Sequence, residues 1–134
     1  MERFFVDFWA AKGHRDIERY QAGLRERDTL IRNWQIFMAE HPVIIMPQSA
    51  EHFLAPDCDQ QGAAKTDHVL QAQRYQLAGA LLGLPGLSVP MGVHAGLPIG
   101  VQVVAGKFRE DLCLAAGSVI EAREGQITPI DPRF

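Results

Sequence analysis

The spacing of glycine and proline between residues 83 and 106 limits what this chain can fold into more than any other feature of it. Gly83-Leu84-Pro85-Gly86-Leu87-Ser88-Val89-Pro90-Met91-Gly92 is followed, three residues on, by Gly96-Leu97-Pro98-Ile99-Gly100-Val101-Gln102-Val103-Val104-Ala105-Gly106. Glycines at these intervals allow backbone angles and close approaches that side chains block, and prolines stiffen turns and remove donors at strand ends. No long helix survives such punctuation. What remains between the breakers is Leu87-Ser88-Val89 and Ile99 to Val104, two short β-prone runs. They are expected to pair as an antiparallel hairpin with a long connection through Gly92, Gly96 and Pro98.

Helical periodicity flanks this region. Ile17, Tyr20, Leu24, Ile31, Trp34 and Met38 recur in steps of three, four and seven, which predicts one long helix or a pair of them, with a bend or a helix-helix break near residues 23 to 28 where Gly23 and Arg27 interrupt the stripe. The helix must stop before Pro42. Val43-Ile44-Ile45-Met46, closed by Pro47, reads as a strand buried on both faces, inside a sheet. Residues 47 to 66 carry no periodicity and read as a loop. A second helix is expected from a Thr66 or Asp67 cap, with Leu70, Leu77, Ala78 and Leu81 on one face, ending at Gly83 and Pro85. A last helix runs from Glu110 to Glu124 through Leu112, Ala115, Ala116 and Val119, stopped by Gly125, and the tail Thr128 to Pro132 is extended.

Size and charge narrow the function classes. A chain of 134 residues with 47% hydrophobic and 22% charged residues is ordinary for one folded domain. A net charge of -3 without a basic stripe offers nothing to a phosphate backbone or an anionic membrane, so nucleic acid and membrane partners are not expected. Glu2, Arg3 and Asp7 interrupt the aromatic start of the chain, which argues against a signal peptide or a spanning segment and for a cytoplasmic protein. Cys58 and Cys113 stand far apart in unrelated contexts and are expected as reduced thiols.

The two glycine-proline blocks closely resemble the end of the amidase-signature enzymes, whose pattern there runs GLPA, then SxPxG, then GLPxGxQxxG. Val43 to Pro47 after an Arg-rich helix, and the closing helix after Phe108-Arg109-Glu110, fit as well, so the resemblance covers roughly residues 25 to 132. Ala80 departs from it, standing where many members carry Asn three residues before Gly83. The resemblance implies amide hydrolysis through an acyl-enzyme, using a Ser nucleophile, a second Ser in a cis peptide and a Lys. Those residues lie in the family well upstream of anything similar to this chain. The three serines here, Ser49, Ser88 and Ser118, and the three lysines, Lys12, Lys65 and Lys107, do not match them. No catalytic residue is therefore assigned.

Other chemistry finds little support in the residues. His52, Asp57, Cys58, Asp59 and His68 are types that bind transition metals, but their spacing is not that of a metal motif, and a solvated loop accounts for them. Ser88 and His94 are candidates for a hydrolytic pair, yet no nucleophile elbow surrounds Ser88, and its expected role is that of a strand residue entering the core. The glycines do not form a phosphate cradle. No cofactor, metal or catalytic residue is expected.

The resulting expectation is an α/β chain in the α+β manner, with helices packed on a small mixed β-sheet. It forms a single domain over 1-134: helical over 1-41, strand and loop over 42-66, then helix, hairpin and helix over 67-134. Its function is that of the C-terminal portion of an amidase-signature amide hydrolase, inactive alone. The alternative is a non-catalytic module that binds a partner or itself. Phe4, Phe5, Phe8, Trp9 and Trp34 supply an aromatic helix face, and a partial sheet leaves open edges, so a homo-oligomer, or association with a missing N-terminal half, is expected.

Overall fold

Val103, Val104 and Ala105 are among the most deeply buried residues. They are so because their strand has neighbours on both sides. β3 (Leu97–Ala105) pairs antiparallel with β1 (Val43–Pro47) through Val43↔Ala105 to Pro47↔Val101. It pairs antiparallel with β2 (Gly86–His94) through Gly86↔Val104 to His94↔Leu97. The sheet order is β1-β3-β2. The computed structural model describes residues 16–52 and 54–125, so the aromatic residues Phe4, Phe5, Phe8 and Trp9, Lys12 and the tail from Thr128 lie outside the described residues.

Among the described residues the helices are α1 (Ile17–Glu40), α2 (Ala63–Ala72), α3 (Arg74–Leu82) and α4 (Glu110–Glu124), with a 3-10 turn at Cys58–Gln60. Helices and a small sheet together bear out the α/β expectation. The sheet is antiparallel throughout the described residues, where a mixed one was expected. Two compact units share the chain. Among the described residues, one combines the stretch up to Asn33 with Ser49–Leu82, and the other combines Trp34–Gln48 with the stretch from Gly83 onward.

The sheet unit holds the hairpin, whose connection is shorter than expected. β2 runs past Pro90 because it is an edge strand, where a missing donor costs no ladder bond, and a register shift between Pro90 and Gly92 absorbs the irregularity. Only Ala95 and Gly96 join the strands, both with positive φ, 52° and 78°, as a two-residue hairpin turn requires. β1 corrects a second expectation. It is an edge of this sheet rather than an inner strand, and Ile45 is 57% exposed.

Helix α4 lies on β2 and β3, and its boundaries agree with the sequence reading at both ends. Its buried residues are Cys113 and Gly117, one turn apart, with Leu112, Ala116 and Ile120 half-buried beside them. Gly117 faces Leu87 and Val89, and the missing side chain lets the helix sit close to the sheet. Val119, one of the residues whose spacing marked the helix, is 70% exposed. From α1, Met38 is buried and its Cβ would lie 3.8 Å from a Cβ at Gly106. Trp34 and Phe37 meet edge to face with centroids 5.8 Å apart, and Phe37 also stacks on His41 at 4.7 Å. α1 is one continuous helix with no break at residues 23 to 28.

In the other unit the expected loop is shorter and the second helix starts earlier. α2 begins at Ala63 after Gly62, whose φ of 96° favours glycine, and no side chain caps it. Thr66 is buried inside the helix, its hydroxyl donating to the Gly62 carbonyl at 3.4 Å. The helix is interrupted at Gln73, where the Ala72 carbonyl accepts the Ala50 N–H at 2.8 Å and the Ser49 hydroxyl at 3.2 Å. Arg27 Nε donates to the Leu81 carbonyl at the end of α3, at 2.6 Å. Val69, Ala72 and Leu82 are buried, while Leu77 and Leu81 of the expected stripe are exposed.

Candidate functional site

Two amides and one hydroxyl, those of Gln48, Gln102 and Ser88, gather on one face of the sheet. Met46, Gln102 and Ser88 stand opposite one another on β1, β3 and β2, so their side chains leave the same face of the sheet. Gln48, just beyond β1, crosses β3 where Gly100 offers no side chain. A Cβ at Gly100 would lie 3.4 Å from Gln48 Nε2 and 2.8 Å from the Val89 carbonyl oxygen. The Gln48 amide donates to the Ser88 hydroxyl and reaches the Val101 carbonyl at 3.4 Å. The Gln102 amide lies against Gly86, where a Cβ would come within 2.9 Å of Nε2, and its Oε1 is buried without a hydrogen-bond partner among the described residues.

The polar groups here are two amides and one alcohol, beside the thioether of Met46, and none of these can take the proton from a serine. Ser88 and His94 lie six residues apart on β2, about 20 Å along a strand, and His94 pairs with Leu97 at the hairpin end. The pairing of Ser88 with His94 considered from the sequence is therefore not assembled. Ser49 donates to the Ala72 carbonyl and accepts the Glu51 N–H at 3.3 Å, and Ser118 donates to the Leu114 carbonyl at 2.9 Å. Lys107 lies over the Phe108 ring, 5.3 Å from its centroid, on a residue held at a φ of 63°.

His68 Nε2 pairs with Glu51 at 3.1 Å, Asp57 accepts from Gln60 at 3.0 Å, and Cys58 is buried. Among the described residues no three His, Cys, Asp or Glu side chains gather around a point where an ion would sit. Cys58 and Cys113 are both free, as the reduced-thiol reading expected. Burial pushes the Cys113 thiol up, and its Sγ lies 3.6 Å from the carbonyls of Pro85 and Val103. At the head of α4, Arg109 forms two 2.9 Å bonds to Asp111, which hold the exposed Asp111 carboxyl below its usual range. No described helix is long and apolar enough to cross a membrane.

Gln48 escaped the sequence reading because its role depends on a partner 40 residues away. Its only local signal is that it follows the strand-ending Pro47. Gln102 stood out as a polar residue between valines, without any indication that its oxygen would be left unpaired.

Comparison with known proteins adds to this geometry. The family model described as Amidase matches residues 6–114. An indoleacetamide hydrolase of Bradyrhizobium japonicum is 38% identical over 111 residues, covering 82% of this chain and 24% of the relative. A protein of the same description from Bradyrhizobium diazoefficiens is 37% identical over 111 residues, 82% of this chain and 21% of its own length. A glutamyl-tRNA(Gln) amidotransferase subunit of Nitrobacter hamburgensis is 43% identical over 56 residues, 41% of this chain and 11% of that relative. This chain thus spans about a quarter of the length of the first two relatives.

Proposed function

The chain belongs to the amidase family, and from that premise we propose that these 134 residues are the C-terminal scaffold portion of an amide hydrolase, without hydrolytic activity of their own. The observation that carries the reading is the placement of the three serines. The hydroxyls of Ser49 and Ser118 are committed to main-chain carbonyls and that of Ser88 to the Gln48 amide. An acyl-transfer nucleophile needs a base within hydrogen-bond reach and donors aimed at the developing oxyanion. The free thiols of Cys58 and Cys113 support a cytoplasmic setting.

The test is reconstitution. The purified chain is mixed with the Bradyrhizobium japonicum indoleacetamide hydrolase from which the stretch aligned with this chain has been deleted, and indoleacetamide turnover is followed. Turnover by the mixture and by neither part alone is the expected result. Turnover by the 134-residue chain alone overturns the reading.

A second reading is self-association, favoured by the apolar residues on open surface. Ile45 on edge strand β1 is 57% exposed, and Leu114 and Val119 on α4 are 60% and 70% exposed. Exposed edges and apolar patches of this kind pair with another chain. Light scattering at low micromolar concentration distinguishes the two: a stable homodimer favours this reading and a monomer removes it.

A further inference from the structure

Gln102 lies on the central strand of the sheet, and its Oε1 is closed to solvent and has no protein donor among the described residues. Gln48, an identical side chain on the same face, has both the Ser88 hydroxyl and the Val101 carbonyl as partners. Leaving a buried amide oxygen unpaired is unfavourable, and an apolar side chain of the same shape avoids that penalty. The space around Gln102 is nonetheless kept clear for an amide. Gly86 is exposed, and any side chain there would press on Gln102 Nε2. The terminal torsion of a glutamine is soft, so either end of the amide can turn toward that opening over Gly86.

We infer that Gln102 is a docking residue whose amide oxygen is completed by an N–H or O–H donor from the part of the amidase fold that these residues do not supply. The inference rests on the scaffold reading above. The occupant follows from coverage: this chain accounts for 24% of the length of its indoleacetamide hydrolase relative, so most of that fold lies outside the match. The row bearing Gln102 ends in the exposed Ser88 beside the exposed Gly86, which leaves the approach to the amide open on that side.

The two states make opposite demands on this side chain, and that opposition is the test. Gln102→Met keeps the length and removes the amide, and Gln102→Leu serves as a second apolar replacement should the methionine variant fold poorly. In the isolated chain the substitution raises the melting temperature by roughly 4 °C, because an unpaired acceptor is gone. Binding to the truncated Bradyrhizobium japonicum hydrolase, followed by titration calorimetry, weakens about tenfold or more, because the incoming donor loses its acceptor. A lower melting temperature means that Gln102 is satisfied within the chain and overturns the inference. A raised melting temperature with unchanged binding also overturns it. So does a weakening of self-association in place of complement binding, which assigns the acceptor to a second copy. Failure of the unsubstituted chain to bind the truncated hydrolase sinks the scaffold reading itself, a result distinct from wild-type binding that the variant leaves untouched.

Discussion

Gly117 on α4 faces Leu87 on β2 so closely that a Cβ at position 117 would overlap the leucine methyl. Val89 lies behind it, its Cγ2 3.4 Å from the same point. The helix therefore sits closer to the sheet than a methyl group at this position allows. Here the glycine serves packing, since it sits inside a regular helix.

Two opposing effects act at Gly117. Alanine favours the helix by about 0.5–1 kcal/mol over glycine, while the added methyl must displace a flexible leucine end, so Gly117→Ala is expected near neutral. Gly117→Val adds a branched side chain against Val89 as well and should destabilise by about 1–3 kcal/mol. Urea midpoints measure both. If the overlap with Leu87 is the cause, Leu87→Ala restores part of the loss in the double variant, beyond additivity.

The hairpin turn carries a local conflict. Ala95 holds a φ of 52°, a region that costs an L-residue about 1–2 kcal/mol and that Asn and Gly tolerate better. Ala95→Asn should therefore stabilise the sheet unit by about 0.5–1 kcal/mol, and Gly96→Ala should destabilise it by about 1 kcal/mol. Thermal denaturation checks the pair, and a loss of stability in the Asn variant would show that the turn takes another form.

Cys113 gives the fold a dependence on alkaline pH. Burial raises its thiol pKa above the ordinary 9.0, so the folded chain holds that proton more tightly than the unfolded chain does. This contribution to stability is complete below the unfolded pKa and is lost as pH rises toward and through the folded one. Other groups titrate in the same range, so the difference between two proteins isolates it. The denaturant midpoint of the parent should fall more steeply between pH 8 and 10 than that of Cys113→Ala, and parallel curves would count against a buried thiol.

The legible parts of this fold were those with local signals. Gly125 and the acidic pair Glu110 and Asp111 fixed α4 at both ends, and the 3.6-residue spacing that runs to Met38 gave α1 its length. Where distant residues decide, the reading failed. The break at Gln73 follows from Ala50 and Ser49 taking the Ala72 carbonyl, a competition between positions more than 20 residues apart. Pro90 looked like a strand end because sequence does not say that β2 is an edge, where proline is tolerated. Leu77, Leu81 and Val119, whose spacing marked helical faces in the sequence, are exposed. Periodicity marks an apolar face without saying whether these residues cover it. In the candidate site, Ser88 was legible as a strand residue, whereas its bond to Gln48 was not.

We propose, at the centre of this account, that the chain carries scaffold and that the attack on a carbonyl belongs to residues elsewhere. The most direct measurement is turnover of indoleacetamide by the purified 134-residue chain, alone, beside a Ser88→Ala variant. Release of ammonia at the buffer background by both proteins is the predicted result. Ammonia release above background by the parent, abolished in Ser88→Ala, would contradict it.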